Sequence, residues 1–145
     1  MEKNSVMLFL QAIDDELAAH ATEGETLDLY LVGRAALVLR YGLTLATKDV
    51  DLVIQGNPSR LEARAFELFG NGTSNARIWR LYLEPVPAGL PPVPGCYRAL
   101  SAEIPGAWKV IRPKQLDPHH LAITKLGRFH AGDREDIRIM CDSAI

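Results

Sequence analysis

Asp49 and Asp51 stand one residue apart in Thr47-Lys48-Asp49-Val50-Asp51-Leu52-Val53-Ile54. On an extended chain that spacing turns both carboxylates to one face, because side chains at i and i+2 point the same way, while Val50 and Leu52 enter a core. Two adjacent anions repel, and a hard divalent cation such as Mg²⁺, held through one or two carboxylates together with substrate phosphates, relieves the repulsion. The same spacing also fits two solvated acids at a strand end, or one cap and one salt bridge.

The elements that must position this pair lie just upstream. Leu27-Asp28-Leu29-Tyr30-Leu31-Val32 reads as a short apolar strand broken by Gly33, and Arg34 to Tyr41 reads as a helix. The order is strand, glycine turn, short helix, then a second strand bearing the two aspartates. A helix N-terminus at a close-approach glycine offers backbone N–H groups to an anion, and it would lie beside the carboxylates if the two strands are neighbours. Phosphate on one side and metal on the other describe a nucleotide.

The rest of the chain is expected to serve packing. An amphipathic helix from about Ser5 to His20 carries Val6, Phe9, Leu10, Ile13 and Leu17 on one stripe, with Asp14, Asp15 and Glu16 away from it and Asn4 or Ser5 as its cap. Gly56-Asn57-Pro58-Ser59 makes a turn, and Ser59 caps a helix through Leu61, Ala65, Phe66 and Phe69 that ends at Gly70-Asn71-Gly72. A strand is expected from about Arg77 to Val86. From Pro85 to Gly95 the prolines exclude helix and central strand, leaving a loop that serves as a lid or substrate wall, or as a rigid connector. Tyr97 to Ile104 and Trp108 to Ile111 read as two short strands forming an antiparallel addition. Asp117-Pro118 starts a helix through Leu121, Ile123, Thr124, Leu126 and Phe129, and Asp133-Arg134-Glu135-Asp136 starts the last one, its acids capping the positive helix end.

Composition narrows the class. The 145 residues fit one domain spanning 1–145, and 48% hydrophobic with 23% charged residues excludes a disordered or fibrous chain. The net charge of −2 excludes a global basic surface, so an RNA partner would need a local patch, for which Arg34, Arg40, Lys48, Lys125, Arg128 and Arg134 are available. Cys96 and Cys141 form no Cys-x-x-Cys, and the adjacent His119 and His120 make no zinc ligand set with His20 and His130. No secretory leader and no run of roughly 20 apolar residues is present, so no membrane partner is expected and the protein is expected in the cytoplasm.

Three segments together resemble the nucleotidyltransferase-like proteins, and among them the toxins of bacterial toxin–antitoxin and phage-defence systems. They are Val32-Gly33-Arg34-Ala35-Ala36-Leu37, Thr47-Lys48-Asp49-Val50-Asp51-Leu52, and His119 through Leu126 followed by Asp133-Arg134-Glu135-Asp136-Ile137. The resemblance implies an α/β fold, a small mixed sheet flanked by helices with a helical C-terminal part. It also implies metal-dependent transfer of a nucleoside monophosphate from an NTP to an acceptor hydroxyl, on a tRNA 3′ end or a protein side chain. Asp49 and Asp51 would hold Mg²⁺ or Mn²⁺, Gly33 would turn the chain under the triphosphate, and Arg34, Lys48 and Lys125 would contact phosphate. A third carboxylate is expected from a later strand, and Glu84 fits because Arg80, Tyr82 and Glu84 would share a strand face. A cognate antitoxin would be a further partner. Arg34 in place of the usual small residue, His120 in place of an aspartate and the short segment after Asp136 favour an alternative, a catalytically inactive binding module acting through a partner protein.

Overall fold

The structure, a computed structural model, describes residues 1–87, 96–121, 138, 140 and 141. In chain order the elements are α1 (Lys3–Ala18), β1 (Leu27–Val32), α2 (Gly33–Tyr41), β2 (Asp49–Ile54), α3 (Arg60–Phe69), α4 (Ser74–Trp79), β3 (Tyr82–Pro87), β4 (Ser101–Glu103) and β5 (Ile111–Leu116). The strands form one mixed sheet in the order β3-β2-β1-β5-β4. β2 runs parallel to β3 and β1 parallel to β5, whereas the β1–β2 and β4–β5 pairs are antiparallel. This is the mixed α/β arrangement expected. No helix among the described residues is long and apolar enough to cross a membrane.

Burial follows the two structural periods. Leu27, Leu29 and Leu31 of β1, with Val50 and Leu52 of β2, alternate into the core. α1 contributes Val6, Phe9, Leu10, Ile13 and Leu17 at helical spacing. α1 touches both α2 and α3, so the three share one side of the sheet. Phe9 meets Phe69 edge to face at 5.7 Å between ring centres. Ser59 caps α3 as expected, accepting the N–H of Glu62 at 3.2 Å, and Gly70 closes the helix with its N–H on the carbonyl of Phe66.

Several elements differ from expectation, each for a tertiary or short-range reason. α1 begins at Lys3 with Glu2 at its cap and no side-chain cap bond, so neither Asn4 nor Ser5 caps it. Asp14 is buried, not turned away from the core. Its carboxylate accepts the backbone N–H groups of Lys109 and Val110 at 2.8 Å and of Ile111 at 2.9 Å, at the entry to β5, and those of Val110 and Ile111 would otherwise be buried unpaired.

The strand expected from Arg77 begins only at Tyr82. Residues Ser74–Trp79 form α4 instead, capped by Thr73, whose hydroxyl oxygen accepts the N–H of Ala76 at 3.1 Å. Arg80 ends that helix in left-handed backbone at φ 56°, so it does not share a strand face with Tyr82 and Glu84. β3 then continues through Pro85 and Pro87, which is possible because β3 is an edge strand and a missing donor there leaves no ladder partner unpaired. Residues 88–95, the rest of the expected proline loop, lie outside the described residues.

The two strands expected after it shift and change role. Residues 96–100 are turns, β4 covers only Ser101–Glu103, and β5 starts at Ile111 and pairs parallel with β1, so the addition is not wholly antiparallel. Pro113 sits inside β5. Its carbonyl accepts the N–H of Ile104 at 2.9 Å but it has no N–H to return, and the Ile104 carbonyl takes the indole N–H of Trp108 at 2.9 Å. The helix signal at Asp117 holds through 118–121, with the Asp117 carboxylate accepting the N–H of His120 at 3.0 Å. Lys125, Arg128 and the Asp133–Asp136 segment lie outside the described residues.

Candidate active site

The site is built where three strands end their registers together. β1 and β2 pair so that Val32 faces Asp51, which sets the start of α2 directly beside that carboxylate. Gly33 occupies the join with φ 67°, and a Cβ there would collide with Oδ2 of Asp51 and lie 3.3 Å from its Cγ. Both the left-handed backbone and the absent side chain are therefore required. Val32, the N-cap residue of α2, has no side-chain oxygen to cap the helix, so the first-turn N–H groups depend on other acceptors.

β2 carries the pair as the period-two spacing requires. Asp49 and Asp51 are half-buried while Val50 and Leu52 are in the core. Thr47 fixes one of them, its hydroxyl donating to Oδ1 of Asp49 at 2.7 Å. β3 supplies the third acid. Its parallel register sets Asp49 against Tyr82 and Asp51 against Glu84, and the Tyr82 N–H bonds the Lys48 carbonyl at 3.0 Å, locking the start of that register. Each of Asp49, Asp51 and Glu84 offers a carboxylate oxygen, and these oxygens lie within 4.8 Å of one another.

The negative field of this cluster registers on its neighbour. Burial pushes the Tyr82 phenol above its ordinary range, and the charges of Asp49, Glu84 and Asp51 push it further. Three converging carboxylates of this kind fit a hard divalent cation held by oxygen ligands. The glycine that makes room for the Asp51 carboxylate and the threonine that aims Asp49 both fit that use.

Of the phosphate contacts expected, Gly33 and Arg34 open α2 beside Asp51. Lys48, directly before Asp49, is exposed and lines a cleft of about 460 Å³ with Asn71, Gly72, Ala76, Arg77, Arg80 and Tyr82. Lys125 lies outside the described residues. His120 is engaged locally, its Nδ1 lying 2.8 Å from the Asp117 carboxylate. Arg40 is exposed near the end of α2 and does not line the cleft. The basic residues that gather around Lys48 are Arg77 and Arg80, which the expected strand concealed; the Thr73-Ser74 cap signal for α4 was the available clue. Thr47 was equally readable as a short-range partner of Asp49.

No curated protein and no solved structure matches this chain. One family model does, over residues 9–140, a span that takes in β1, Gly33, β2 and β3 with all three carboxylates. The chain therefore belongs to the family described as nucleotidyltransferase of unknown function, DUF6036.

Proposed function

We propose that this protein transfers a nucleoside monophosphate from an NTP to an acceptor hydroxyl, with Mg²⁺ or Mn²⁺ held by Asp49, Asp51 and Glu84. The convergence of those three carboxylates beside the glycine turn is the observation that carries the reading. The bond formed joins the acceptor oxygen to the α-phosphorus. The bond broken joins that phosphorus to the bridging oxygen, pyrophosphate leaves with the electron pair, and the hydroxyl proton passes to solvent. When bound, the metal supplies charge stabilisation for the attacking and leaving oxygens of such an in-line displacement.

The chain's own residues do the rest. Gly33 lets the backbone pass close to the triphosphate, and the start of α2, with Arg34, faces its anionic oxygens. Lys48 and Lys125 add further phosphate contacts. Thr47 holds Asp49 in orientation. Acceptors consistent with this chemistry are a tRNA 3′ hydroxyl and a serine, threonine or tyrosine hydroxyl. A toxin-like role in the cytoplasm, restrained by an antitoxin, is the biological setting that the motifs suggest.

Asp117 and His120 favour a second reading. The imidazole that stands where an aspartate was expected is occupied with the helix cap, which suits a catalytically inactive fold that acts through a partner protein, with or without bound nucleotide.

A thermal-shift titration with each of the four NTPs, with and without Mg²⁺ or Mn²⁺, tests the proposal on the wild type and Asp51→Asn. A ligand at a hundred times its dissociation constant adds about 2.7 kcal/mol, or roughly 9 °C for a domain of this size. A metal-dependent shift that Asp51→Asn loses supports a working nucleotide site; labelled NMP then appears on an acceptor if transfer occurs, and stays in the NTP if the second reading holds. No shift with any NTP sinks the transfer reading and leaves the partner-binding module.

A further inference from the structure

The cleft beside the carboxylates carries an inference about the acceptor, one that rests on the transfer reading above. Lys48, Arg77 and Arg80 line it, and among the described residues no aspartate or glutamate does. Among the described residues, none of these three cations makes an ion pair; the Arg77 guanidinium reaches only the Ser74 hydroxyl, at 3.5 Å. The three exposed cations lie side by side at the edge of a field whose negative part comes from Asp49, Asp51 and Glu84 beyond Tyr82, so a bound anion on the cationic side is favoured by attraction to the wall. An aromatic ring, that of Tyr82, stands on the same wall.

The position of the cleft decides what that anion does. Gly33 and α2 reach β2 from the β1 side, whereas Tyr82 and Arg80 reach it from the β3 side, across the strand that holds Asp49 and Asp51. In an in-line displacement the attacking and leaving oxygens lie on opposite sides of the phosphorus. With the pyrophosphate on the glycine side, the acceptor enters from the cleft side. We propose that the cleft binds the phosphodiester backbone of a single-stranded polynucleotide and presents its terminal hydroxyl to Asp49, Asp51 and Glu84. Lys48 stands at the boundary and serves both the nucleotide and the strand. The positive wall matches the repeating phosphate charge, and the Tyr82 ring offers a stacking surface that any base accepts.

Fluorescence anisotropy with labelled single-stranded RNA and DNA about twenty nucleotides long tests this across a salt series. The variants are Arg77→Gln and Arg80→Gly, the latter chosen because glycine takes the left-handed backbone at position 80 without strain. Each neutralised cation should flatten the slope of log affinity against log salt by about 0.7, so the double variant loses about 1.4. Its NTP- and metal-dependent thermal shift should match the wild type. A preference between the RNA and DNA arms identifies the strand. The proposal is overturned if neither oligonucleotide binds, if affinity and slope ignore both substitutions, or if a labelled polyglutamate peptide binds in their place. It is also overturned if the NTP shift disappears with the arginines, since the cleft would then hold the nucleotide's own phosphates. A wild type that binds oligonucleotide but shifts with no NTP rejects the transfer reading alone, because the cleft is judged by the anisotropy data.

Discussion

Replacing Gly33 by alanine tests the joint between fold and site more sharply than removing a carboxylate does. Two separate costs are expected. Holding an alanine at φ 67° costs about 1–2 kcal/mol, since the left-handed region crowds Cβ against the following carbonyl. The new methyl also collides with Oδ2 of Asp51, and forcing an extra carbon into an occupied space adds about 1–3 kcal/mol. Gly33→Ala should therefore lose about 2–5 kcal/mol in the wild type but only about 1–2 kcal/mol in an Asp51→Ala background, where the collision is gone. Urea denaturation of the four proteins of this cycle measures the coupling, at about 1–3 kcal/mol per molar of denaturant. If the Asp51 carboxylate swings aside instead, the stability coupling shrinks and the Mg²⁺- or Mn²⁺-dependent nucleotide shift is lost. An equal loss in both backgrounds, with the nucleotide shift retained, would refute the claim that Gly33 exists to clear the Asp51 carboxylate.

The remaining predictions concern the frame around the site. Asp14→Ala leaves the buried N–H groups of Val110 and Ile111 without an acceptor, while that of exposed Lys109 can turn to water, and should destabilise the fold by about 2–6 kcal/mol, with Asp14→Asn losing less because one oxygen still accepts; urea midpoints decide the order. Arg80→Gly should gain about 1 kcal/mol by relieving the left-handed backbone, and a loss of that size would contradict the assigned geometry. Burial pushes the Asp117 carboxyl up, but the N–H and ring of His120 outweigh it and hold it below the ordinary aspartate value. Its contribution is thus complete above the unfolded value of about 3.9 and is lost as the pH falls through the lower folded value. Urea midpoints of the wild type and Asp117→Asn should differ near neutrality and converge in acid, and parallel curves would count against this pairing.

Local chemistry wrote much of this protein into its sequence. The Leu27–Val32 strand, the break at Gly33, the following helix and the Asp49–Asp51 strand are all readable because alternation, a glycine and helical spacing act over a few residues. The Ser59 cap and the Asp117-Pro118 start are equally local. α4 escaped detection because six residues are too few to show a period, although Thr73 marked its start.

Tertiary structure decided what no window of sequence contains. Asp14 looks like a solvated acid until the entry to β5, some ninety-five residues away, brings the N–H groups of Lys109, Val110 and Ile111 to it. Glu84 becomes the third carboxylate only because β2 and β3 pair in parallel with Asp51 against Glu84, a register that a slip of one residue would turn to the other face. The basic cleft depends on Arg80 leaving α4 in a left-handed turn and on Lys48 ending at its rim. Sequence supplied the carboxylate pair, its glycine and Glu84 as a candidate third acid because neighbouring residues control them; that Glu84 meets the pair, that the basic cleft forms and that Asp14 is buried were decided by strand registers and long-range donor satisfaction, which only the folded chain resolves.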